Sequence, residues 1–274
     1  MKKAVGLLLG LLLLLGCAPM LGGCGRSPAP SSLVILGDSI ASGYPDGAHG
    51  FGAQLQRAFS LKGSAYKNLA VSGADSGDLL QLLSGQPAAV QSADVLVVSI
   101  GANDLLGPFV SDVNAALQSA GGTGASPQAL ASKPDTAKRL AAYWEDERVQ
   151  ARYVRSIQNF SDHFINAMAY LRKLNPKARI YVLTVYDPFD GLDGYGSLTG
   201  FSEKMVARIN GVIEGDRTAG NYTVLDICAA FHGRTDALTN IRRLDVHPNR
   251  AGHDLIFRTV YKAIMGREYG GSAR

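Results

Sequence analysis

The sequence predicts an α/β fold, a single three-layer α/β/α domain in which helices cover both faces of a five-stranded parallel sheet. Two observations predict it. Five short apolar segments, each followed by turn-forming or polar residues, alternate along the chain with segments of helical periodicity. Such alternation is typical of parallel sheets buried on both faces. In addition, chemically versatile polar residues follow several of the apolar segments, which is where open parallel sheets bind ligands.

The five predicted strands are short apolar segments without regular polar alternation. Strands of this composition are expected where neither face of the sheet meets water. In chain order they are 33–36, 66–71, 94–100, 178–185 and 222–227. Cys228 directly follows the last segment and is expected to be a thiol in the core.

Helical periodicity fills the intervals between the strands. The strongest case has large apolar side chains three or four residues apart, the spacing of one helix face; they are Tyr153, Ile157, Phe160, Phe164, Met168 and Leu171. Helices are predicted over 51–61, 76–83, 153–171, 201–213 and 251–264. The segment 107–136 is rich in Gly, Ala, Ser and Pro, and connections of that length are uncommon inside a domain. Two interpretations of this segment stay open, namely a lid and a mobile spacer. A helix is expected over 110–120.

Composition narrows the classes of protein to which the chain can belong. It has 274 residues, of which 46% are hydrophobic and 18% are charged, so a disordered chain is excluded. Three cysteines are too few for a disulfide-stabilised scaffold. There are 27 Lys and Arg residues against 23 Asp and Glu residues, with no basic cluster interleaved with aromatic side chains. We therefore expect no nucleic-acid partner.

Residues 1–23 have the pattern of an export signal. Lys2 and Lys3 precede an apolar run over 5–15, which is too short to cross a bilayer but suits a secretory signal peptide. Cys17 and Cys24 each follow small residues as in a bacterial lipobox, whose cysteine becomes the lipidated first residue of the mature protein. The signal peptide could be cleaved before Cys17 or before Cys24. The alternative is an ordinary cleaved signal peptide in which neither cysteine is lipidated.

These features predict the organisation and location of the protein. Residues 24–32 form a tether rich in Pro and Ser, 33–266 form the folded domain, and 267–274 form a C-terminal tail. An acyl chain on the mature N-terminus would bind the membrane, since each buried CH2 group contributes about 0.8 kcal/mol. We therefore expect an exported monomer that is lipid-anchored at the extracytoplasmic side of the cell membrane, or secreted.

Four polar segments follow predicted strands. They are GDS over 37–39 after the first strand, SG over 72–73 after the second, GAND over 101–104 after the third, and DVHP over 245–248 after the fifth. The carboxyl ends of parallel strands meet at one edge of a sheet. We therefore expect these segments to lie together in one crevice, although they are far apart in the chain.

These segments contain candidates for a nucleophile, a base and a set of oxyanion donors. The hydroxyl of Ser39 is a weak nucleophile unless a base removes its proton. His247 is the candidate base, because imidazole titrates near neutral pH. The backbone N–H groups of Ser39 and Gly73 and the side-chain amide of Asn103 are candidate donors to a tetrahedral oxyanion. Glycine at position 73 lets the backbone approach a substrate closely.

Together the segments resemble the sequence blocks of the SGNH hydrolases, also called GDSL esterases and lipases. The blocks read GDSIASG over 37–43, NLAVSGADS over 68–76, GAND over 101–104 and DVHPNRAGH over 245–253. The resemblance implies a flavodoxin-like SGNH hydrolase fold and hydrolysis of carboxylic esters through an acyl-serine intermediate, without a metal or an organic cofactor. It assigns Ser39 as the nucleophile and His247 as the base. It assigns Ser39, Gly73 and Asn103 to the oxyanion hole.

The last block departs from the family pattern at its acid. The acidic residue of the family lies three positions before the histidine, where this chain has Leu244, and Asp245 lies two positions before it. Either Asp245 reaches the imidazole of His247 through a rearranged turn, or the backbone carbonyl of Leu244 orients the ring. Both arrangements would fix the tautomer of the base. We expect Asp245 to be the third catalytic residue.

Other functions stay open at this point. The resemblance favours acyl lipids such as lysophospholipids as substrates, with O-acetylated cell-wall or other carbohydrates as the alternative. A metal site for phosphoester hydrolysis is a second alternative, with ligands suited to a hard or borderline cation; they would be Asp38, Asn103, Asp104, Asp245 and His247. The serine would then have no role. A third alternative is a non-catalytic surface lipoprotein on an inherited hydrolase scaffold.

Overall fold

The structure is a computed structural model, and it describes residues 28–119, 138, 142–191, 196–243 and 245–271. Its centre is a parallel five-stranded sheet in the order β2-β1-β3-β4-β5. The strands are β1 (Leu33–Gly37), β2 (Tyr66–Asn68), β3 (Val95–Ser99), β4 (Arg179–Leu183) and β5 (Thr223–Leu225). This is the flavodoxin-like order that the resemblance implies, so the predicted fold class is confirmed.

Helices connect the strands and include all five that the sequence predicts. Most of these five helices are longer than the apolar periodicity indicates. The longest helix, for example, begins at a capping residue, because the side chain of Asp146 accepts the N–H groups of Arg148 and Val149. The helices are α1 (Ser39–Ser42), α2 (Phe51–Ala58), α3 (Ser76–Gly85), α4 (Pro87–Gln91), α5 (Ala102–Ser119), α6 (Glu147–Leu174), α7 (Gly196–Asp216), α8 (Ile227–Phe231), α9 (Thr235–Leu238) and α10 (Arg250–Met265).

The sheet separates two hydrophobic cores. Alternate side chains of β1 enter them, Val34 and Leu36 on one face, and Leu33 and Ile35 on the other. Helices α3, α5, α6 and α7 cover the first face, and α2 and α10 cover the second. Burial on both faces explains why the strand segments lack polar alternation.

The second strand is shorter than the predicted segment 66–71. Regular strand geometry ends at Asn68. The next residues nevertheless run beside β1, because Val71 donates its backbone N–H to the carbonyl of Gly37 at 2.9 Å. The segment therefore reaches the edge of the sheet where β1 ends.

The fifth strand is also shorter than the predicted segment 222–227. It ends at Leu225, because Asp226 caps α8 and accepts the N–H of Ala229. Cys228 therefore lies in a helix, not beside a strand, and its thiol is half-buried against the core.

The segment 245–248 does not follow β5 directly. Helices α8 and α9 and strand β6 (Thr239–Asn240) intervene, and the segment is itself strand β7 (Asp245–Pro248), which pairs with β6 in a short antiparallel hairpin. Asn249 then begins α10, and its side chain accepts the N–H groups of Ala251 and Gly252. A hairpin, not the end of a sheet strand, carries the predicted base.

Contacts of the domain extend past both predicted boundaries. Ser31, in the predicted tether, donates its backbone N–H to Asp94 at 2.7 Å. Tyr269, in the predicted tail, packs edge-on against Phe257 and Tyr261. The predicted signal peptide, with Cys17 and Cys24, lies outside the described residues, as does most of 107–136 beyond the end of α5. In the part of the chain that the structure describes, no helix is long and apolar enough to cross a membrane.

Candidate active site

The turn between β1 and α1 presents the predicted nucleophile. Gly37 has a φ of +129°, and a Cβ there would lie 1.8 Å from the carbonyl oxygen of Ser99, so only glycine fits. Asp38 caps α1 by accepting the N–H of Ile40 at 3.0 Å. Ser39 begins the helix and lines a cavity, which we call the Ser39 cavity.

Ser39, His247 and Asp245 form a continuous hydrogen-bonded chain. Nε2 of His247 lies 2.9 Å from Oγ of Ser39, and Nδ1 lies 2.5 Å from Oδ1 of Asp245. An ionised carboxylate only accepts hydrogen bonds, so Nδ1 carries the proton and Nε2 directs its lone pair at the serine hydroxyl. A general base for Ser39 requires this tautomer. The structure thus brings the first and last polar segments together across 208 residues.

Asp245 makes further contacts that stabilise its charge. Oδ1 accepts the backbone N–H of His247 at 3.0 Å, and Nδ2 of Asn240 lies 3.4 Å from Oδ2. Partial burial raises the pKa of Asp245, but the hydrogen bonds and the attraction of the imidazole outweigh it and leave the pKa below its ordinary value. The contact between Asp245 and Nδ1 of His247, which is required if Asp245 is the residue that orients the ring, is therefore present. Leu244, on which the other alternative depends, lies outside the described residues.

The predicted oxyanion donors lie on two neighbouring turns. Asn103 lines the Ser39 cavity and donates through Nδ2 to the carbonyl of Ala74 at 2.8 Å, which leaves its second N–H for another acceptor. Gly73 lies in the turn before α3 with a φ of +86°, which glycine adopts without strain. It lines an adjacent depression with Gly37, not the Ser39 cavity itself. The bond from Asn103 to Ala74 links the two turns that carry these donors.

A second group of hydrogen bonds joins the same two turns. The carboxylate of Asp104 accepts the N–H of Ser76 at 3.1 Å and its hydroxyl at 2.6 Å, and Oγ of Ser76 lies 3.3 Å from Nδ1 of His163. Burial raises the pKa of Asp104 to about 6, although the bonds from Ser76 lower it. Sequence reasoning missed Ser76, because a serine at the start of a helix is common and indicates no particular partner.

Two tyrosines that sequence reasoning missed contact the base or its neighbour. The hydroxyl of Tyr186 donates to the carbonyl of Val246 at 2.5 Å, directly before His247. The ring of Tyr44 lies 4.5 Å from the imidazole of His247 and is tilted by 56° to it. Tyr186 follows β4 as the predicted site residues follow their strands, and this position is the signal that could have found it.

A buried carboxyl group lies next to the nucleophile. Asp38 is 1% exposed and lines a small cavity together with Tyr186. Burial raises the pKa of Asp38 to about 7. Within the described residues its Oδ2 has no hydrogen-bond partner. The protonated form is therefore favoured over the charged form in the folded protein up to about neutral pH.

The lining of the Ser39 cavity is mostly apolar. The space that the centres of water-sized molecules can occupy in this cavity is about 70 Å³, and the cavity opens to solvent on one side. Ser39, Asn103 and His247 lie on its lining, and most of the remaining lining is aliphatic or aromatic. Its large apolar side chains come from α5, α7 and the segment after β4, and include Leu105, Leu106, Phe109, Phe189, Phe201 and Met205.

The residues of the metal alternative do not converge on one point. The carboxylate of Asp245 faces His247, whereas that of Asp104 faces Ser76. Across the described ranges, no three His, Cys, Asp or Glu side chains are grouped so that they could hold a metal ion. The geometry favours the serine-based alternative over the metal alternative.

The fold and the site together define a class of hydrolases. The sequence model of the GDSL-like lipase/acylhydrolase family matches residues 35–255. The chain belongs to this family, and the resemblance to SGNH hydrolases is confirmed.

Individual relatives are distant in sequence. The chain is 24% identical to the uncharacterized protein YpmR of Bacillus subtilis (strain 168) over 250 residues. The matched region covers 85% of this chain and 80% of that protein. In fold it is similar to the lipase Lip_vut3 from a goat rumen metagenome (TM-score 0.61, 18% identity, 86% of this chain and 98% of that one). It is also similar to phospholipase A1 from Streptomyces albidoflavus NA297 (TM-score 0.58, 20% identity, 85% and 99%). A third similar structure is a mutant of the acetyl-xylooligosaccharide esterase Axe2 from Geobacillus (TM-score 0.54, 16% identity, 90% and 100%).

Proposed function

We propose that this protein is a serine ester hydrolase that cleaves carboxylic esters through an acyl-Ser39 intermediate. One observation carries the proposal: His247 contacts the hydroxyl of Ser39 with one ring nitrogen and the carboxylate of Asp245 with the other, beside an apolar cavity. Membership of the GDSL-like lipase/acylhydrolase family supports hydrolase chemistry in general. The roles of the individual residues are part of the proposal.

In the first half-reaction the ester acylates the serine. Nε2 of His247 takes the proton of Ser39 as Oγ attacks the carbonyl carbon. The carbonyl oxygen becomes an oxyanion and accepts hydrogen bonds from the backbone N–H groups of Ser39 and Gly73 and from the amide of Asn103. Asp245 holds the ring and stabilises the imidazolium that forms. The bond from carbon to the alcohol oxygen then breaks, and His247 gives its proton to the leaving alcohol.

In the second half-reaction water removes the acyl group. Nε2 of His247 takes a proton from water as the water oxygen attacks the acyl carbon. The bond from the carbon to Oγ of Ser39 breaks, the proton returns to Oγ, and the carboxylic acid leaves. The protein ends in its starting state, and the balance needs no other reactant.

We propose acyl lipids of the lysophospholipid or glyceride type as the substrate class. The apolar lining of the Ser39 cavity supports this choice, because burial of each methylene of an alkyl chain against it contributes about 0.8 kcal/mol. The fold similarity to a lipase and a phospholipase A1 agrees with it. The similarity to an acetyl-xylooligosaccharide esterase keeps O-acetylated carbohydrates as the second candidate.

The test combines covalent labelling with a comparison of two esters. A fluorophosphonate probe should label the full-length protein, should not label Ser39→Ala or His247→Ala, and should label the control Ser84→Ala, which removes an exposed hydroxyl. We expect p-nitrophenyl octanoate to be hydrolysed with a higher kcat/KM than p-nitrophenyl acetate. Activity confined to acetate would transfer the proposal to O-acetylated carbohydrates. The absence of both labelling and hydrolysis would support the non-catalytic alternative.

A further inference from the structure

An aromatic wall, formed by Phe109, Phe189, Phe201 and Tyr153, is part of the lining of the Ser39 cavity. Phe109 follows Asn103 by six residues on α5, so it lies about 9 Å further along the helix axis. Its ring centroid is 5.2 Å from that of Phe189. The rings of Phe201 and Tyr153 are in T-shaped contact at 4.7 Å.

Trp144 lies behind this wall and contacts two of its rings. It stacks on Phe201 at 4.8 Å and on Phe109 at 5.7 Å between centroids. Its side chain is buried, yet it does not line the Ser39 cavity itself. Helices α5 and α7 thus present Phe109 and Phe201 to the cavity with their rings in contact with the same indole. Removing the indole would free both rings to move outward.

An ion pair with a buried carboxylate and a partly exposed guanidinium lies one helical turn beyond Phe109. The carboxylate of Asp112 on α5 pairs with Arg152 and accepts the hydroxyl of Tyr143 at 2.9 Å. The ring of Tyr143 in turn contacts Trp144 edge-on at 5.4 Å. An alkyl chain that passed the wall would approach the buried carboxylate of Asp112, and an apolar group beside a buried charge is unfavourable because it cannot solvate that charge. The region behind the wall therefore contains a buried charge, which disfavours the entry of a longer acyl chain.

We propose that Trp144 limits the length of the acyl chain by holding Phe109 and Phe201 across the end of the Ser39 cavity. The inference rests on the proposed function and narrows its substrate class to esters of medium-chain fatty acids. The helical distance of about 9 Å between Asn103 and Phe109 matches an extended chain of roughly seven carbons, since carbon–carbon bonds are about 1.5 Å long and zigzag. Trp144 acts as a positioning residue, because it does not touch the substrate.

The test is a chain-length profile with p-nitrophenyl esters from acetate to palmitate. For the full-length native protein, kcat/KM should rise by about fourfold with each added methylene and should stop rising at about eight carbons. In Trp144→Leu this break should move to longer chains. The ratio of kcat/KM for laurate to that for octanoate should then increase by about tenfold. Trp144→Phe should retain the native break.

A cavity-side variant and a matched control complete the design. Phe109→Ala removes a ring of the wall itself and should also move the break to longer chains. It tests the inference if Trp144→Leu does not fold. The control Phe59→Leu removes a ring that stacks on Tyr261 at 5.3 Å on the opposite face of the sheet, so it should keep the native profile. An unchanged break in a folded wall variant, or an equal loss at all chain lengths, would overturn the inference. A native protein that hydrolyses none of the esters would overturn the proposed function and the inference with it.

Discussion

Asp245 holds His247 at two points, although a single residue separates them in the chain. Its Oδ1 accepts the backbone N–H of His247 at 3.0 Å and lies 2.5 Å from Nδ1 of the imidazole. The sharp path that this requires occurs in the hairpin of β6 and β7, where the pairing with Asn240 is irregular. An acid two positions before the histidine can therefore orient the ring.

We predict that Asp245→Asn lowers kcat by about 10³- to 10⁴-fold with little change in KM. An amide does not select the tautomer with the proton on Nδ1, and it does not stabilise an imidazolium. Steady-state kinetics with p-nitrophenyl octanoate measure the effect. Asp236→Asn, which changes an exposed carboxylate paired with Arg242, is the control and should keep native kinetics. A kcat of Asp245→Asn within tenfold of native would mean that another group orients His247.

The positions of Ser39 and Asn103 at one edge of the sheet could be predicted from sequence because parallel topology brings strand ends together. Ser39 and Asn103 follow β1 and β3, which are neighbours in the sheet, and their placement needs no knowledge of the loops. The sequence predicts His247 at the same edge by placing its segment after the fifth strand, whereas a hairpin carries it there. Its hairpin was not predicted, because the two-residue strand Thr239–Asn240 is too short to have a recognisable periodicity.

The cavity beyond the motifs could not be predicted from sequence. Phe109, Trp144 and Phe201 come from three separate segments, and their stacking depends on how α5 and α7 pack on the sheet. No local pattern indicates such a contact. The burial of Asp38 without a partner for Oδ2 within the described residues likewise follows from tertiary packing, although its role as a helix cap is a local feature that the sequence indicates.

Asn103→Ala should lower kcat by about 10²- to 10³-fold and leave KM nearly unchanged. The side-chain amide is proposed to bind the oxyanion more strongly than the ground-state carbonyl, so its loss affects the transition state. Kinetics with p-nitrophenyl octanoate measure it, with Asn166→Ala on the exposed side of α6 as the control. A rise in KM at constant kcat would argue against an oxyanion role and for substrate binding.

Ser76→Ala should weaken both the fold and the site. It removes the hydroxyl that donates to Asp104 at 2.6 Å, and a buried acceptor that loses its donor costs about 1–3 kcal/mol. We expect a decrease of that size in the free energy of unfolding by urea, together with slower labelling of Ser39 by a fluorophosphonate, because the turns of Gly73 and Asn103 lose a link. Ser76→Thr should restore both measurements. Equal labelling rates in Ser76→Ala and native protein would show that the link does not position the donors.

We propose that the protein is exported and anchored by a lipid, and this predicts lipid labelling at one N-terminal cysteine. A bacterial host that expresses the full-length chain with a radiolabelled or alkyne fatty acid should yield labelled protein, and globomycin should cause the precursor to accumulate. Either Cys17→Ala or Cys24→Ala should abolish the label, and the other variant should retain it, which identifies the mature N-terminus. Cys228→Ala is the control, because its half-buried thiol lies in α8. Unlabelled protein in the medium would indicate an ordinary secretory signal.

Asp38 should make the stability of the protein fall as pH rises towards neutrality. Its pKa is raised to about 7 in the folded protein, while an unfolded Asp titrates near 3.9. Between these values the native state binds a proton that the unfolded state has lost, so the contribution of Asp38 to the free energy of unfolding decreases with pH and levels off above about pH 7. The three or so pKa units correspond to about 4 kcal/mol as an upper bound.

Asp38→Asn should remove this dependence, because the amide oxygen can still accept the N–H of Ile40 and carries no charge to bury. The stability of the variant relative to native should therefore increase by about 2–4 kcal/mol between about pH 4 and about pH 8, measured by urea unfolding at both values. Taking this difference cancels the constant cost of the unpartnered amide group. Asp46→Asn, in an exposed loop where the pKa of Asp46 is lowered by its bond to His49, should show no such increase. A stability difference for Asp38→Asn that is the same at both pH values would mean that Asp38 is already charged in the folded protein at low pH.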